Sequence, residues 1–375
     1  MDRRTCPHCG YENLERAVYC FACNTSLGGS PTERGARRRR RRQAEETLRP
    51  SRGQDAAPES PGQRLPAPRD IPSLLPASIP ITCLRCGARN PSQASICAGC
   101  AGSLTLPDDA DPADLVAQVA ALSSIGQVRS NNEDRVGLWA RRGVVLALVA
   151  DGMGGALAGE EASRLTLETI QADFVGEARG SESLRDLPDD EVTDKLRAAI
   201  RRANRAVMRR AIEHPEYQGM GTTVTLAFVR GGQTIIAHIG DSRAYLISGG
   251  GGWLNQITDD HSFVEALMAA GHITPEQAAV HPMRSVLYRA LGQADETDAD
   301  LYVRALSAGD WLLLCSDGLT RHVSGEESAA IVRASATPDD ITRRLVALAN
   351  ERGGEDNISV VAIRVERASE IQPGA

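Results

Sequence analysis

The sequence is poor in aromatic residues: Trp, Tyr and Phe together make up 3% of its 375 positions. A core must therefore be built mainly from Val, Ile, Leu and Ala. No apolar run approaches the length needed to cross a bilayer, which argues against a spanning helix. The opening stretch, Met1 to Pro7, has no apolar segment of the kind a secretory signal carries. These absences lead to the expectation of a soluble, cytoplasmic protein without a membrane partner. Disulfides are disfavoured in a reducing compartment, so the nine cysteines need another explanation. The net charge of −7 is unevenly spread, with about +5 on residues 1–110 and about −12 on residues 111–375. The acidic part is a poor match for nucleic acid and a better match for cations.

Eight of the nine cysteines fall into two arrays of identical spacing. Cys6-Pro-His-Cys9 is followed after ten residues by Cys20-Phe-Ala-Cys23. Cys83-Leu-Arg-Cys86 is followed after ten residues by Cys97-Ala-Gly-Cys100. The parallel extends to Gly10 and Gly87, and to Asn13 and Asn90. Each CxxC can offer two thiolates to one ion, and two of them complete the tetrahedral four-sulfur set that suits zinc. With all four positions filled by protein, the metal would hold a small fold together rather than do chemistry. This predicts zinc ribbons over residues 1–26 and 81–105, able to fold separately or to pair with each other. Residues 27–80 between them are rich in Pro, Gly, Ser, Arg and Gln, and are expected to be a disordered linker. Arg37 to Arg42 are consecutive arginines, read here as a solvated charge run rather than a nucleic-acid contact.

The acidic part reads as one domain over residues 112–366 with a short tail over 367–375. Strands are expected at 115–124, 136–140, 144–150, 222–230, 234–239, 244–248, 253–257, 311–315 and 358–365. Helices are expected at 159–174, 191–213, 262–271, 325–334 and 338–350, with a loop over 175–190. Val144 to Ala150 is wholly apolar and runs into Asp151-Gly-Met-Gly-Gly155. A carboxylate ending a buried strand is costly without a partner. The same pattern returns at Asp317 and Asp356, while Asp241 sits between two strands and Glu133-Asp134 just before one. Any one of these could simply open a turn. Gathered together they would repel one another, and hard divalent cations with oxygen ligands, Mg2+ or Mn2+, resolve that repulsion.

Val128-Arg-Ser-Asn-Asn-Glu-Asp134, Ala150-Asp-Gly-Met-Gly-Gly155, Gly159-Glu160, Gly221-Thr-Thr223, Gly240-Asp-Ser-Arg243, Thr258-Asp-Asp-His261, Arg289-Ala-Leu-Gly292, Cys315-Ser-Asp-Gly318 and Glu355-Asp-Asn357 occur in that order. In this ordered set the sequence resembles the metal-dependent serine/threonine protein phosphatases of type 2C, in their bacterial form. The resemblance implies an α+β fold, a four-layer αββα sandwich of two antiparallel sheets flanked by helices. It implies that Asp151 bridges two Mn2+ or Mg2+ ions, that the Gly152 carbonyl and Glu133 serve the second, and that Asp317 and Asp356 hold the first. Asp241 with Asp317 would form a weaker third site, and Arg129 would grip phosphate. It further implies phosphorylated proteins as substrates and a counterpart serine/threonine kinase. Departures from the family pattern are Met153, where some relatives place a histidine, and Ser285, where relatives often have asparagine. His238 and His261 are the nearest alternative proton donors and are read as structural. Cys315 with Arg321 formally fits CxxxxxR, the spacing of cysteine-dependent phosphatases, but Asp317 lies inside that loop and Cys315 closes an apolar strand, so it reads as core. The competing reading is a non-catalytic phosphoprotein-binding adapter with a degenerate phosphatase domain. The retained acids argue against it.

Overall fold

The computed structural model describes residues 3–5, 7, 12–14, 76–105, 111, 114–175, 184–249 and 253–370. The chain forms two compact units, Met1–Arg64 and Leu65–Ala375. In the first, β1 (Arg3–Thr5) pairs antiparallel with β2 (Glu12–Leu14). Cys6, Cys9, Cys20 and Cys23, the run Arg37 to Arg42 and most of the expected linker lie outside the described residues.

The second unit is a sandwich. Its strands are β3 (Ile81–Cys83), β4 (Arg89–Asn90), β5 (Leu115–Ser124), β6 (Arg135–Arg141), β7 (Val144–Ala150), β8 (Gly152–Met153), β9 (Gly221–Thr222), β10 (Val224–Arg230), β11 (Gln233–Ile239), β12 (Arg243–Ile247), β13 (Leu254–Gln256), β14 (Asp300–Ala305), β15 (Trp311–Cys315) and β16 (Ile358–Arg367). One sheet runs β14-β11-β10-β7-β6-β3-β4 and the other β13-β12-β15-β16-β5. Every residue of β7 and of β15 is buried, as expected of strands covered on both faces. Between the sheets lies a core of small and branched side chains, including Ala121, Ala147, Val149, Leu314 and Val361.

Helices cover the outer faces. Over the first sheet lie α1 (Ala156–Phe174) and α2 (Asp189–Glu213). In α2 the buried Val192, Leu196, Ala199, Ile200, Ala203 and Val207 keep helical spacing, and Asp189, Asp190 and Glu191 complement the positive end of the helix. Two short helices follow β13: α3 (Phe263–Ala269), capped by Ser262, and α4 (Pro275–Ala279), which opens on a capping box from Thr274 and Gln277. Between β15 and β16 of the second sheet come α5 (Asp317–Thr320), α6 (Gly325–Arg333) and α7 (Pro338–Glu351). The last two pack on that sheet through Ile331, Val332, Ile341, Leu345 and Leu348. The αββα expectation is met.

Three departures from the sequence reading have physical causes. Helix α1 begins at Ala156 rather than Gly159, because Gly159 is needed inside the helix for a close contact described below. Strand β14 has no counterpart among the expected strands: it is an edge strand, half-exposed and charged, so its apolar pattern is weak. The third concerns the second cysteine array, which is no free-standing module. Strand β3 pairs in parallel with β6, Thr82 opposite Trp139 and Cys83 opposite Ala140. Cys83, Cys97 and Leu104 are buried in the inter-sheet core itself. The preceding residues also lie on the sandwich, the Ile79 N–H donating to the Ala121 carbonyl at 2.8 Å. The linker expectation for 27–80 therefore does not extend over 76–80.

The four sulfurs of Cys83, Cys86, Cys97 and Cys100 lie within 4.8 Å of one another. Cys83 Sγ is 3.8 Å from Cys100 Sγ, and Cys86 Sγ is 3.6 Å from Cys97 Sγ. A tetrahedral zinc with Zn–S of about 2.3 Å requires sulfurs about 3.8 Å apart, so the residues fit that ion. Asn90 explains its parallel with Asn13: it is buried, and its Oδ1 accepts from the Ala98 N–H at 2.8 Å, bracing the second CxxC knuckle.

Leu104 lies at the end of this ribbon and is fully buried. Leu104→Ala should therefore destabilise the whole second unit by about 2–5 kcal/mol, read as a lower midpoint of a single denaturation transition. A midpoint that does not move would mean the ribbon side of the core is not part of that fold.

Candidate metal centre

The centre is assembled from strand ends. Strand β7 delivers Asp151, whose N–H donates to Thr223 Oγ1 at 2.9 Å and whose carbonyl accepts from the Thr223 N–H at 2.8 Å. The next residues, Gly152-Met153, pair with Gly221-Thr222. This turn packs against α1 and the 125–134 loop with no room to spare. A Cβ on Gly152 would lie 2.1 Å from the Gly159 carbonyl oxygen, and one on Gly159 would lie 2.0 Å from Glu133 Oε2. Both positions therefore require glycine, which accounts for the Gly159 that the helix tolerates.

Strand β15 delivers Asp317 through Ser316. The Ser316 hydroxyl donates to Asp134 Oδ2 at 2.8 Å and accepts from the Ser359 N–H at 2.9 Å, tying β15, β16 and the 125–134 loop together. Asp356 and Asn357 precede β16. The Asn357 side chain accepts from the Glu133 N–H at 2.8 Å and donates to the carbonyls of Ile125 and Asn131, each at 2.9 Å. Asn357 thus fixes the loop that carries Arg129 and Glu133.

The sequence-derived candidates for Mn2+ or Mg2+ and phosphate meet in one cleft of about 330 Å³: Arg129, Glu133, Asp151, Gly152, Asp241, Asp317 and Asp356 line it, with Met153, Ser285 and Arg321. Burial pushes the Asp151 carboxyl well above the usual carboxylate range, and the charges of Asp134, Asp317, Asp241 and Asp356 push it further. Burial also raises Asp241, with Asp317 and Asp260 adding to the effect, and it raises Glu133 against the pull of Arg129. Asp134, 2% exposed, is pushed up to about 7 by burial, with hydrogen bonds from Ser359 and Ser316 opposing the shift. The Oδ1 atoms of Asp134 and Asp317 are buried without a hydrogen-bond partner. Crowded carboxylates with unpaired buried oxygens make a donor set of hard oxygens, the kind that Mn2+ and Mg2+ take.

The remaining candidates fall outside the chemistry. Cys315 is fully buried, its thiol pushed up to about 12 by burial, which suits core and not a nucleophile. His238 is fully buried and pushed down to about 3 by burial and by His261. Its Nδ1 lies 3.0 Å from Thr225 Oγ1 and its Nε2 3.0 Å from the Gly240 carbonyl oxygen. His261 accepts from the Gly240 N–H at 3.0 Å and pairs with Asp300 at 2.9 Å. Neither histidine is among the residues lining the cleft. Three residues that sequence reasoning left without a role belong to the site: Asp134, Asn357 and Arg321. Asp134 and Asn357 stand inside the motifs of the ordered set, and Arg321 stands one helical turn after Asp317, but none of the three showed its partners in the sequence.

Comparison with known proteins agrees with this geometry. The chain matches the family model described as protein phosphatase 2C over residues 124–355 and the one described as double zinc ribbon over residues 6–102. It is 42% identical over 253 residues to the serine/threonine protein phosphatase PstP of Mycobacterium tuberculosis, a match covering 67% of this chain and 45% of PstP. It thus spans less than half the length of that relative. It is 36% identical over 247 residues to the protein phosphatase PhpP of Streptococcus pneumoniae, covering 66% of this chain and 96% of PhpP. Among solved structures, the Streptococcus agalactiae serine/threonine phosphatase superposes with a TM-score of 0.61 at 37% identity, over 67% of this chain and all of that one. The PstP catalytic domain in complex with two manganese ions superposes with a TM-score of 0.58 at 39% identity, over 67% of this chain and 99% of that one. The chain belongs to the protein phosphatase 2C family. In the sequence, the segment matching that family follows the segment matching a double zinc ribbon.

The raised carboxyls set a pH dependence. Their unfolded values lie near 3.9, so between about pH 4 and 7 the folded, metal-stripped chain holds more protons than the unfolded one. Its stability is therefore expected to fall as pH rises from about 5 to 8, and saturating Mn2+ to remove that fall. Melting temperatures across this range, with and without Mn2+, check it. A metal-stripped chain that grows more stable with pH would contradict it.

Proposed function

We propose that this chain is a metal-dependent protein phosphatase that hydrolyses phosphoserine and phosphothreonine in proteins. The observation that carries the reading is the convergence of Asp151, Asp317, Asp356, Asp241, Glu133 and Gly152 on one cleft with Arg129 on its wall. Asp151, at the end of β7, would hold the divalent cations together with Asp317, Asp356, Glu133 and Gly152, all of which line this cleft. When bound, the divalent cations supply Lewis acidity that neutralises phosphate oxygens and makes water nucleophilic near neutral pH.

The chain's own residues do the rest. Arg129 is 46% exposed, and its Nη2 lies 2.9 Å from Asp356 Oδ2. Its planar fork can turn from that carboxylate to two oxygens of a phosphate. Met153 lines the cleft and offers no proton, so protonation of the departing seryl or threonyl oxygen falls to water. The two zinc ribbons, over 1–26 and 81–105, are docking or regulatory elements that precede a phosphatase domain at 112–366 in the sequence. The partners are phosphorylated proteins and a counterpart serine/threonine kinase, in the cytoplasm. No helix among the described residues is long and apolar enough to cross a membrane, which is compatible with that setting.

The test is hydrolysis of a phosphothreonine peptide by the full, zinc-loaded chain with Mn2+ titrated from zero. Turnover should require Mn2+ and collapse in Asp317→Ala. Arg129→Ala should raise KM by about tenfold to a hundredfold, the loss of about 1.5–3 kcal/mol of charged hydrogen bonding. Tight phosphopeptide binding without turnover at any Mn2+ level would instead favour the adapter reading.

A further inference from the structure

We propose that Arg321 is a built-in substitute for a third divalent cation, limiting the acidic cleft to two ions. The inference rests on the reading of the cleft as a metal-dependent phosphatase site, and it revises the third site that Asp241 and Asp317 would form.

Arg321 stands one helical turn after Asp317, at the end of the short helix α5. Its Nε donates to Asp317 Oδ2 at 3.0 Å, and its Nη2 donates to the same oxygen. Its Nη1 lies 3.6 Å from Asp356 Oδ2. Asp241 also lies within its field: the guanidinium partly offsets the upward push that burial, Asp317 and Asp260 exert on that carboxyl. One fixed positive charge therefore sits among three of the acids of the cleft.

The Asp317 carboxylate is divided by this contact. Oδ2 is taken twice by the guanidinium, while Oδ1 is buried and has no hydrogen-bond partner. Oδ1 remains free for an ion shared with Asp151 or Asp356. An ion between Asp317 and Asp241 would have to share Asp317 with the guanidinium and would sit beside a cation that cannot lose its charge, since a guanidinium does not deprotonate in proteins. A hydrated lysine or a neutral side chain would leave that ground to a metal more readily than a planar fork does.

A second contact shows what the arrangement holds in place. Arg321 Nη2 donates to Ser285 Oγ at 3.1 Å. Ser285, Arg321, Asp241 and Asp317 line both the metal cleft and an adjoining cleft of about 460 Å³ that Val264, Met268 and Ala278 also line. Arg321 thus stands in the wall shared by the two clefts and anchors the segment that carries Ser285. A loosely held third ion would leave that wall dependent on the metal concentration. Arg321 acts through Asp317 and Ser285 as a positioning residue.

The experiment counts ions. The full, zinc-loaded chain is titrated with Mn2+ by calorimetry, with free Mn2+ followed in parallel by electron paramagnetic resonance. The wild type should bind two Mn2+. Arg321→Ala and Arg321→Gln, each shown to be folded by circular dichroism, should bind a third, weaker Mn2+. The glutamine keeps a hydrogen-bonding group against Asp317 should the alanine variant not fold. Three ions on the wild type, or two on the folded variants, would overturn the role of Arg321 while leaving the phosphatase reading intact. No Mn2+ bound by the wild type would overturn the phosphatase reading itself, and this inference with it.

Discussion

The structure depends on mutual repulsion that is held in check. Asp134, Asp151, Asp241 and Asp317 are raised by burial and by the charges of neighbouring carboxylates, Asp356 among them. Such a cluster is unfavourable by itself, and it persists because everything around it is over-determined. The strands that deliver the acids are fully buried on both faces. Ser316 and Asn357 cross-link the loops through hydrogen bonds to backbone and side chain. The rest of the sandwich can be understood as the rigid frame that keeps like charges close enough to share cations.

Two kinds of positive charge answer that repulsion. Arg129 and Arg321 both reach Asp356 Oδ2, from opposite ends of the sequence. Their situations differ. Arg129 is nearly half exposed on a loop and is free to exchange partners, whereas Arg321 is bound to its own helix turn and to Ser285. The first suits a group that meets substrate. The second suits one that never leaves.

Much of this was legible in the sequence, for reasons that can be named. A seven-residue apolar strand ending in Asp-Gly has few other meanings once the pattern recurs at Asp317 and Asp356. The spacing of Val192, Leu196, Ala199 and Ile200 leaves little choice but a helix with one buried face. What was not legible is long-range. Asn357 is a motif residue in the sequence, but only the fold shows it bridging to Ile125 and Asn131, more than two hundred positions away. Arg321 displays its spacing to Asp317, yet nothing local says that Ser285 will meet it. Strand β3 is three residues long and reads as part of a ribbon, and no pattern in Ile81-Thr82-Cys83 points to a parallel neighbour in β6.

The seam between β3 and β6 also makes the protein its own optical probe. Of its three tryptophans, Trp139 lies on that seam opposite Thr82, 1% exposed, with an indole N–H that has no partner. Trp311 is 7% exposed in the other sheet under the guanidinium of Arg364, and Trp253 is 51% exposed. The three rings therefore sit in three distinct polarities. Emission at the blue edge of the spectrum is therefore expected chiefly from Trp139, the most buried ring and the one on the ribbon's seam.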